Sequence, residues 1–188
     1  MGNTTTDLLI WTPDESDTSK PNVYLATMAQ SLEDGAGERL RKQEQFIGCN
    51  MSLASAMTLD SNTRQIPFAI TTANATDFNE GMTISGGSVS VPVNGFYQVN
   101  YFASFQPQTS AIPRVNNYLY RNGTSIKFSS TFGVANSTTR YFNASISVVL
   151  NLTTGDDLTI KSNSLDALST MSAGAGSGFS VVLIKPTA

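Results

Sequence analysis

The sequence predicts a mainly β protein, a sandwich, jelly roll or barrel, preceded by an N-terminal arm and a short amphipathic helix. Three observations carry this. Apolar and polar residues alternate along "GFYQVNYFASFQ" (95–106), which is how a half-buried strand reads. Further strand-like segments stand on either side of it, with turn signals between them. The chain is 40% apolar but only 13% charged, and Ser, Thr, Asn and Gly fill the remainder, a composition suited to strands and not to a disordered chain.

The first 21 residues form the arm. Within it Leu8, Leu9, Ile10 and Trp11 make a short apolar burst before Pro13, and "DESDTSKP" (14–21) reads as a loop. Trp11 is the only tryptophan. It either packs on the chain's own fold or anchors the arm in a partner. The next stretch, about 22–47, has Leu25, Met28, Leu32, Ala36, Leu40 and Ile47 at helical spacing, with Ser19 or Asn22 as the cap and Pro21 near the first turn. Gly35 and Gly37 interrupt it, so two short helices also fit. Such a helix buries its stripe on the β domain or in a bundle of copies. Residues 1–50 are therefore expected to be arm and helix, and 51–188 the β domain.

In the β domain the strands read "RQIPFAITTA", "MTISGGSVSVPV", "GFYQVNYFASFQ", "RVNNYLYRNG", "TSIKFSSTF", "RYFNASISVVLNL", "DDLTIKSNS" and "GFSVVLIKP". Tyr97, Val99, Tyr101, Ala103 and Phe105 share one face of their strand, as do Ile146, Val148, Leu150 and Leu152 of theirs. Leu158 and Ile160 continue the core. Asn94–Gly95 and Asn122–Gly123 signal hairpins, Gly155–Asp156 a surface turn, and "SAGAGSG" (172–178) a glycine-rich loop. Gly95 is expected to allow a positive φ or a tight turn that a side chain would block.

"VSVPVNGFYQVNYFASF" resembles the strand pair that marks the jelly roll of the tumour necrosis factor superfamily and the globular head of complement component one. Pro92, Asn94, Gly95, Phe96 and Tyr97 stand where that family places a proline, a turn residue, a glycine and an aromatic pair. "YLYRNGTSIK" is similar to its Asn-Gly hairpin, "ASISVVLNLTTGDDLTIKSN" to its long strand, Gly-Asp turn and next strand, and "GSGFSVVLIKP" to its last strand, with Phe179 in the core. The order holds over roughly residues 65–185. The resemblance implies a jelly-roll β-sandwich that forms a homotrimer, with Gly95, Tyr97, Tyr101, Phe105 and Phe179 critical to the fold. Phe102, Tyr118 and Tyr120 are then candidates for the three-fold interface.

The opening "IWTPDESDTSKPNVYLATMAQSLEDGAGERL" resembles the N-terminal segment of minor structural proteins of tailed bacteriophages, through Thr12, Pro13, Asp14 and the helix from about Val23. It implies that Leu8, Leu9, Ile10, Trp11, Leu25, Met28 and Leu32 dock the chain on a virion. The expectation is a trimeric minor tail protein, assembled in a host cytoplasm, that projects an adhesive β domain toward the host surface, a surface glycan included. The alternatives are a capsid decoration protein or head fibre, and a free trimeric lectin-like or cytokine-like module.

Catalytic chemistry finds little footing in this composition. There is no histidine to act as general base, triad member or zinc ligand. The single cysteine, Cys49, has no imidazole to activate it and no partner for an intramolecular disulfide. The acidic clusters Asp14–Glu15–Asp17 and Asp156–Asp157 fall in predicted turns and read as solvated. No cofactor is expected. A net charge of −3 without a Lys/Arg run argues against nucleic acid, and no apolar run is long enough for membrane insertion. Asn-x-Ser/Thr triplets headed by Asn74, Asn122, Asn136, Asn143 and Asn151 reflect the abundance of those residues.

Overall fold

The computed structural model describes residues 46–72, 74–109, 111–133 and 141–187. The arm and helix, with the anchoring candidates Leu8, Leu9, Ile10, Trp11, Leu25, Met28 and Leu32, lie outside the described residues. Phe46–Ala188 form one compact unit.

The described residues hold strands and no helix. In chain order they are β1 (Gly48–Leu53), β2 (Met57–Leu59), β3 (Arg64–Gln65), β4 (Phe68–Ala69), β5 (Phe78–Glu80), β6 (Thr83–Ser85), β7 (Ser88–Ser90), β8 (Gly95–Pro107), β9 (Arg114–Arg121), β10 (Thr124–Phe132), β11 (Phe142–Leu152), β12 (Asp157–Leu165), β13 (Ser169–Met171) and β14 (Gly174–Pro186). They form two antiparallel sheets. One is built on β8, flanked by β11 on one edge and by β14 and then β13 on the other, with β1 beyond β14. The second runs β10-β9-β12-β7-β6, with β3 also on β12.

The alternation read in the sequence is the alternation of burial. Tyr97, Val99, Tyr101, Ala103 and Phe105 are buried, while Phe96 and Phe102 are exposed. Phe179 and Val181 of β14, Ile146 and Leu152 of β11, and Leu119, Leu158 and Ile160 of the second sheet complete the core. The rings of Phe68 and Phe179 lie 5.9 Å apart and those of Phe105 and Phe142 stack at 5.4 Å, spacings at which aromatic pairs attract. A polar contact crosses the core. The Tyr101 hydroxyl donates to Asn117 Oδ1 at 2.7 Å, and Ser162 Oγ donates to the same oxygen at 2.9 Å. It joins β8 of one sheet to β9 and β12 of the other.

Four expectations change. The sandwich begins at Phe46, not residue 51. Ile47 packs in the core, and its carbonyl accepts from the Leu183 amide at 2.9 Å, extending the β1–β14 ladder, so it belongs to a strand edge and not to a helical stripe. Asn122–Gly123 does form a hairpin, with φ of 51° and 78°, between β9 and β10. Asn94–Gly95 does not: it carries the chain from β7 of one sheet to β8 of the other, where Tyr97 Oη donates to the Val93 carbonyl at 2.8 Å and Thr187 N to the Asn94 carbonyl at 3.0 Å. The glycine-rich segment is part of β14, with a bulge against β1 between Ser52 and Leu53.

Gly95 is required for a reason other than its φ. A Cβ there would lie 2.6 Å from both Leu183 Cδ1 and the Lys185 carbonyl oxygen. The neighbouring backbone of β14 cannot retreat, because it is tied into the same ladder. Gly95→Val is therefore expected to lower stability by about 2 kcal/mol or more, read as a fall in the thermal unfolding midpoint. An unchanged midpoint would show that β14 does not approach β8 this closely.

Candidate functional site

The candidate interface residues do not share a surface. Tyr101 and Asn117 meet inside the sandwich, so their strand neighbours point outward on opposite sides. Phe102 stands on the outer face of the β8 sheet, and Tyr118 and Tyr120 stand on the outer face of the β9 sheet. In a closed three-fold ring each subunit meets its two neighbours at an acute angle. Two patches facing opposite ways generate an open filament instead. One closed interface cannot take all three residues through the centres of both faces.

The outer face of the β8 sheet mixes exposed apolar side chains with polar ones. Phe96, Phe102, Val149 and Ile184 are exposed by 40%, 46%, 51% and 57%. Two aromatic rings lie over glycines on adjacent strands. A Cβ on Gly178 would sit 2.6 Å from the Phe102 ring, and one on Gly48 would sit 3.2 Å from the Phe46 ring. Phe46 in turn contacts Phe78, with centroids 5.6 Å apart. Glycine thus leaves room for the rings. Between the apolar rows runs a polar one, in which Gln98, Asn100 and Ser147 bond to one another at 2.8–3.0 Å.

The outer face of the β9 sheet differs. Phe128 of β10, Tyr118 of β9 and Lys161 of β12 are cross-strand neighbours. The Tyr118 ring is 5.1 Å from Phe128 and 6.4 Å from Tyr120, and Lys161 Nζ stands 4.4 Å over the Tyr120 ring. The next pair along, Asn116 and Asn163, is nearly buried.

The Gly-Asp turn is not a solvated acidic pair. Gly155 takes φ of 85° and turns the chain from β11 to β12, and Asp156 is only 5% exposed. Burial alone would raise its carboxyl. Donors from Arg121, Thr153 and Asn122 outweigh that and hold it well below the usual carboxylate range. Asn122 is also the first residue of the β9–β10 hairpin turn, so one carboxylate ties that turn to the β11–β12 corner. Asp157 accepts from Ser88 and Ser90 and secures β7. No group of three or more metal-ligating side chains occurs among the described residues. Cys49 is buried, which pushes its thiol up to about 12.

Two sheets, the sheet-crossing corners at Asn94 and Gly155, and a central β8 clasped by β11 and β14 define the architecture. Among solved structures it is similar to that titled "Structure of Eiger TNF from S. frugiperda", with a TM-score of 0.59 and 11% identity, over 77% of this chain and 96% of that one. The domain is a TNF-like jelly roll. No family model and no curated protein matches the sequence. Gly95, Tyr97, Tyr101, Phe105 and Phe179 each sit in or against the buried core. The two aromatic outer faces were not separable by sequence, because the relation between β8 and β9 is set by the packing of the sheets.

Asp156→Asn is expected to cost about 2 kcal/mol at neutral pH, the scale of a hydrogen bond to a charged group. A carboxylate held below its unfolded value stabilises above about pH 4 and loses that contribution as pH falls. The gap in unfolding free energy between wild type and variant should therefore close on acidification below about pH 4. Cys49, for its part, should stay unreactive toward an aromatic disulfide reagent at pH 8 and react once denaturant unfolds the domain.

Proposed function

We propose that the chain is a non-enzymatic virion structural protein: a minor tail protein of a tailed bacteriophage, whose β domain forms a homotrimer and serves adhesion to the host surface. The observation that carries the trimer is the set of apolar side chains exposed on the outer face of the β8 sheet, Phe96, Phe102, Val149 and Ile184. Burying such a face releases water from apolar surface and favours association. The TNF-like fold supports the same reading, since such folds commonly form homotrimers. Phe102 is the interface residue of this reading, and Tyr118 and Tyr120 are left for another contact. The particle assignment is supported by the Thr12-Pro13-Asp14 opening and the apolar residues around it.

Two measurements test this. Light scattering on the purified chain should give three times the monomer mass, and Val149→Glu should give the monomer by placing a charge in the apolar contact. A wild-type monomer at micromolar concentration would remove the trimer. Immunogold electron microscopy of intact particles, with antibody against residues 51–188, should label the tail. Label spread over the head would replace the tail reading with capsid decoration, and absence of label would leave a free trimeric module.

A further inference from the structure

We infer that the outer face of the β9 sheet is a carbohydrate-binding surface, and that its ligand is an acidic polysaccharide. The inference rests on the adhesive reading above and assigns the surface that adhesion would use. Three aromatic rings meet on this face, Phe128, Tyr118 and Tyr120, with centroid separations of 5.1 and 6.4 Å. Phe128 is 53% exposed, and the two tyrosines are partly exposed. Here the rings sit among amides and hydroxyls. Asn116 and Asn163 lie one register step from Tyr118, and Thr159 lies across from Tyr120.

That mixture suits a pyranose. Its C–H face is apolar and packs on a ring, while its hydroxyls both donate and accept. Asn163 Nδ2 donates to the Ser61 carbonyl at 3.3 Å and Asn116 Oδ1 accepts from Ser130 Oγ at 2.9 Å, so the amides behind the rings are held by the fold and the rings with Lys161 are what the face presents.

Charge decides between neutral and acidic sugars. Lys161 lies in the same cross-strand row as Phe128 and Tyr118, and among the described residues its close partner is the Tyr120 ring, 4.4 Å from Nζ. The described ion pairs are Arg64–Asp60, Arg114–Asp166 and Arg121–Asp156, so no carboxylate neutralises Lys161. A carboxylate on the sugar would complete the ammonium while the ring beneath it stays in place.

The test uses the full chain on immobilised polygalacturonate and hyaluronan, with dextran and mannan as neutral controls. Wild type should bind the acidic polymers and not the neutral ones. Tyr118→Ala and Tyr120→Ala should each weaken binding at least ten-fold. Lys161→Gln should weaken it and flatten its dependence on salt, since screening acts on the charge pair. Phe128→Ser, at an exposed edge position, provides a ring variant whose folding is least at risk, and thermal unfolding of each variant is read alongside. The inference is overturned if wild type binds no acidic polymer, if it binds neutral and acidic polymers equally, or if the ring variants bind as wild type does. It is also overturned if those variants change the oligomeric state, which would make this face a subunit contact. Particle labelling of the same variants separates the two readings. Binding by a protein absent from particles would sink the tail role and leave the glycan surface, whereas labelled particles without binding would do the reverse.

Discussion

Strand β8 is hydrogen-bonded along both edges, to β11 on one side and to β14 and β13 on the other. Because side chains alternate with a period of two, this double pairing fixes the facing of three long strands at once. A slip of one residue would turn Tyr97, Tyr101 and Phe105 out to solvent and Phe96 and Phe102 into the core. The loss would be several large aromatic side chains of burial, each contributing on the order of 2 kcal/mol. Gly95 and Gly178 serve the same constraint. The first lets β14 approach the start of β8, and the second leaves room for the Phe102 ring on the outer surface.

The second sheet is held to the first partly by apolar packing and partly by polar ties. Tyr101, Asn117 and Ser162 connect the sheets through the core. Burial pushes the Tyr101 phenol above its usual range, so it stays a neutral donor. Asp156 performs the matching task at one end of the sandwich, where Arg121, Asn122 and Thr153 converge on it. Core burial does not specify how corners meet, and the directional bonds at Asp156 do.

With the interior closed in this way, the two outer faces differ in the side chains they present. The β8 sheet presents Phe96, Phe102, Val149 and Ile184 among polar side chains, with Gly178 beside the Phe102 ring. The β9 sheet carries Phe128, Tyr118 and Tyr120 beside Lys161, which has no ion pair among the described residues. A sandwich can keep these apart because each face is built from alternate residues of its own sheet, and neither set takes part in the core.

The sequence by itself determined the period-two strands, the Asn122–Gly123 hairpin and the buried face of Tyr97, Tyr101 and Phe105, while the jelly-roll order and the core place of Phe179 were implied only by the family resemblance. The strands, the hairpin and that face depend on local alternation and turn chemistry, which a single strand or turn already expresses. It also pointed to Phe102, Tyr118 and Tyr120 as residues apart from the core. What it could not carry was their separation onto opposite faces, the burial of Asp156 under Arg121, the sheet crossing at Asn94–Gly95 and the inclusion of Ile47 and the 174–178 segment in strands. Each of those depends on residues distant in the chain, such as Leu183 beside Ile47 and Gly95. Only the packing of the two sheets brings such groups together, so only the tertiary structure decided them.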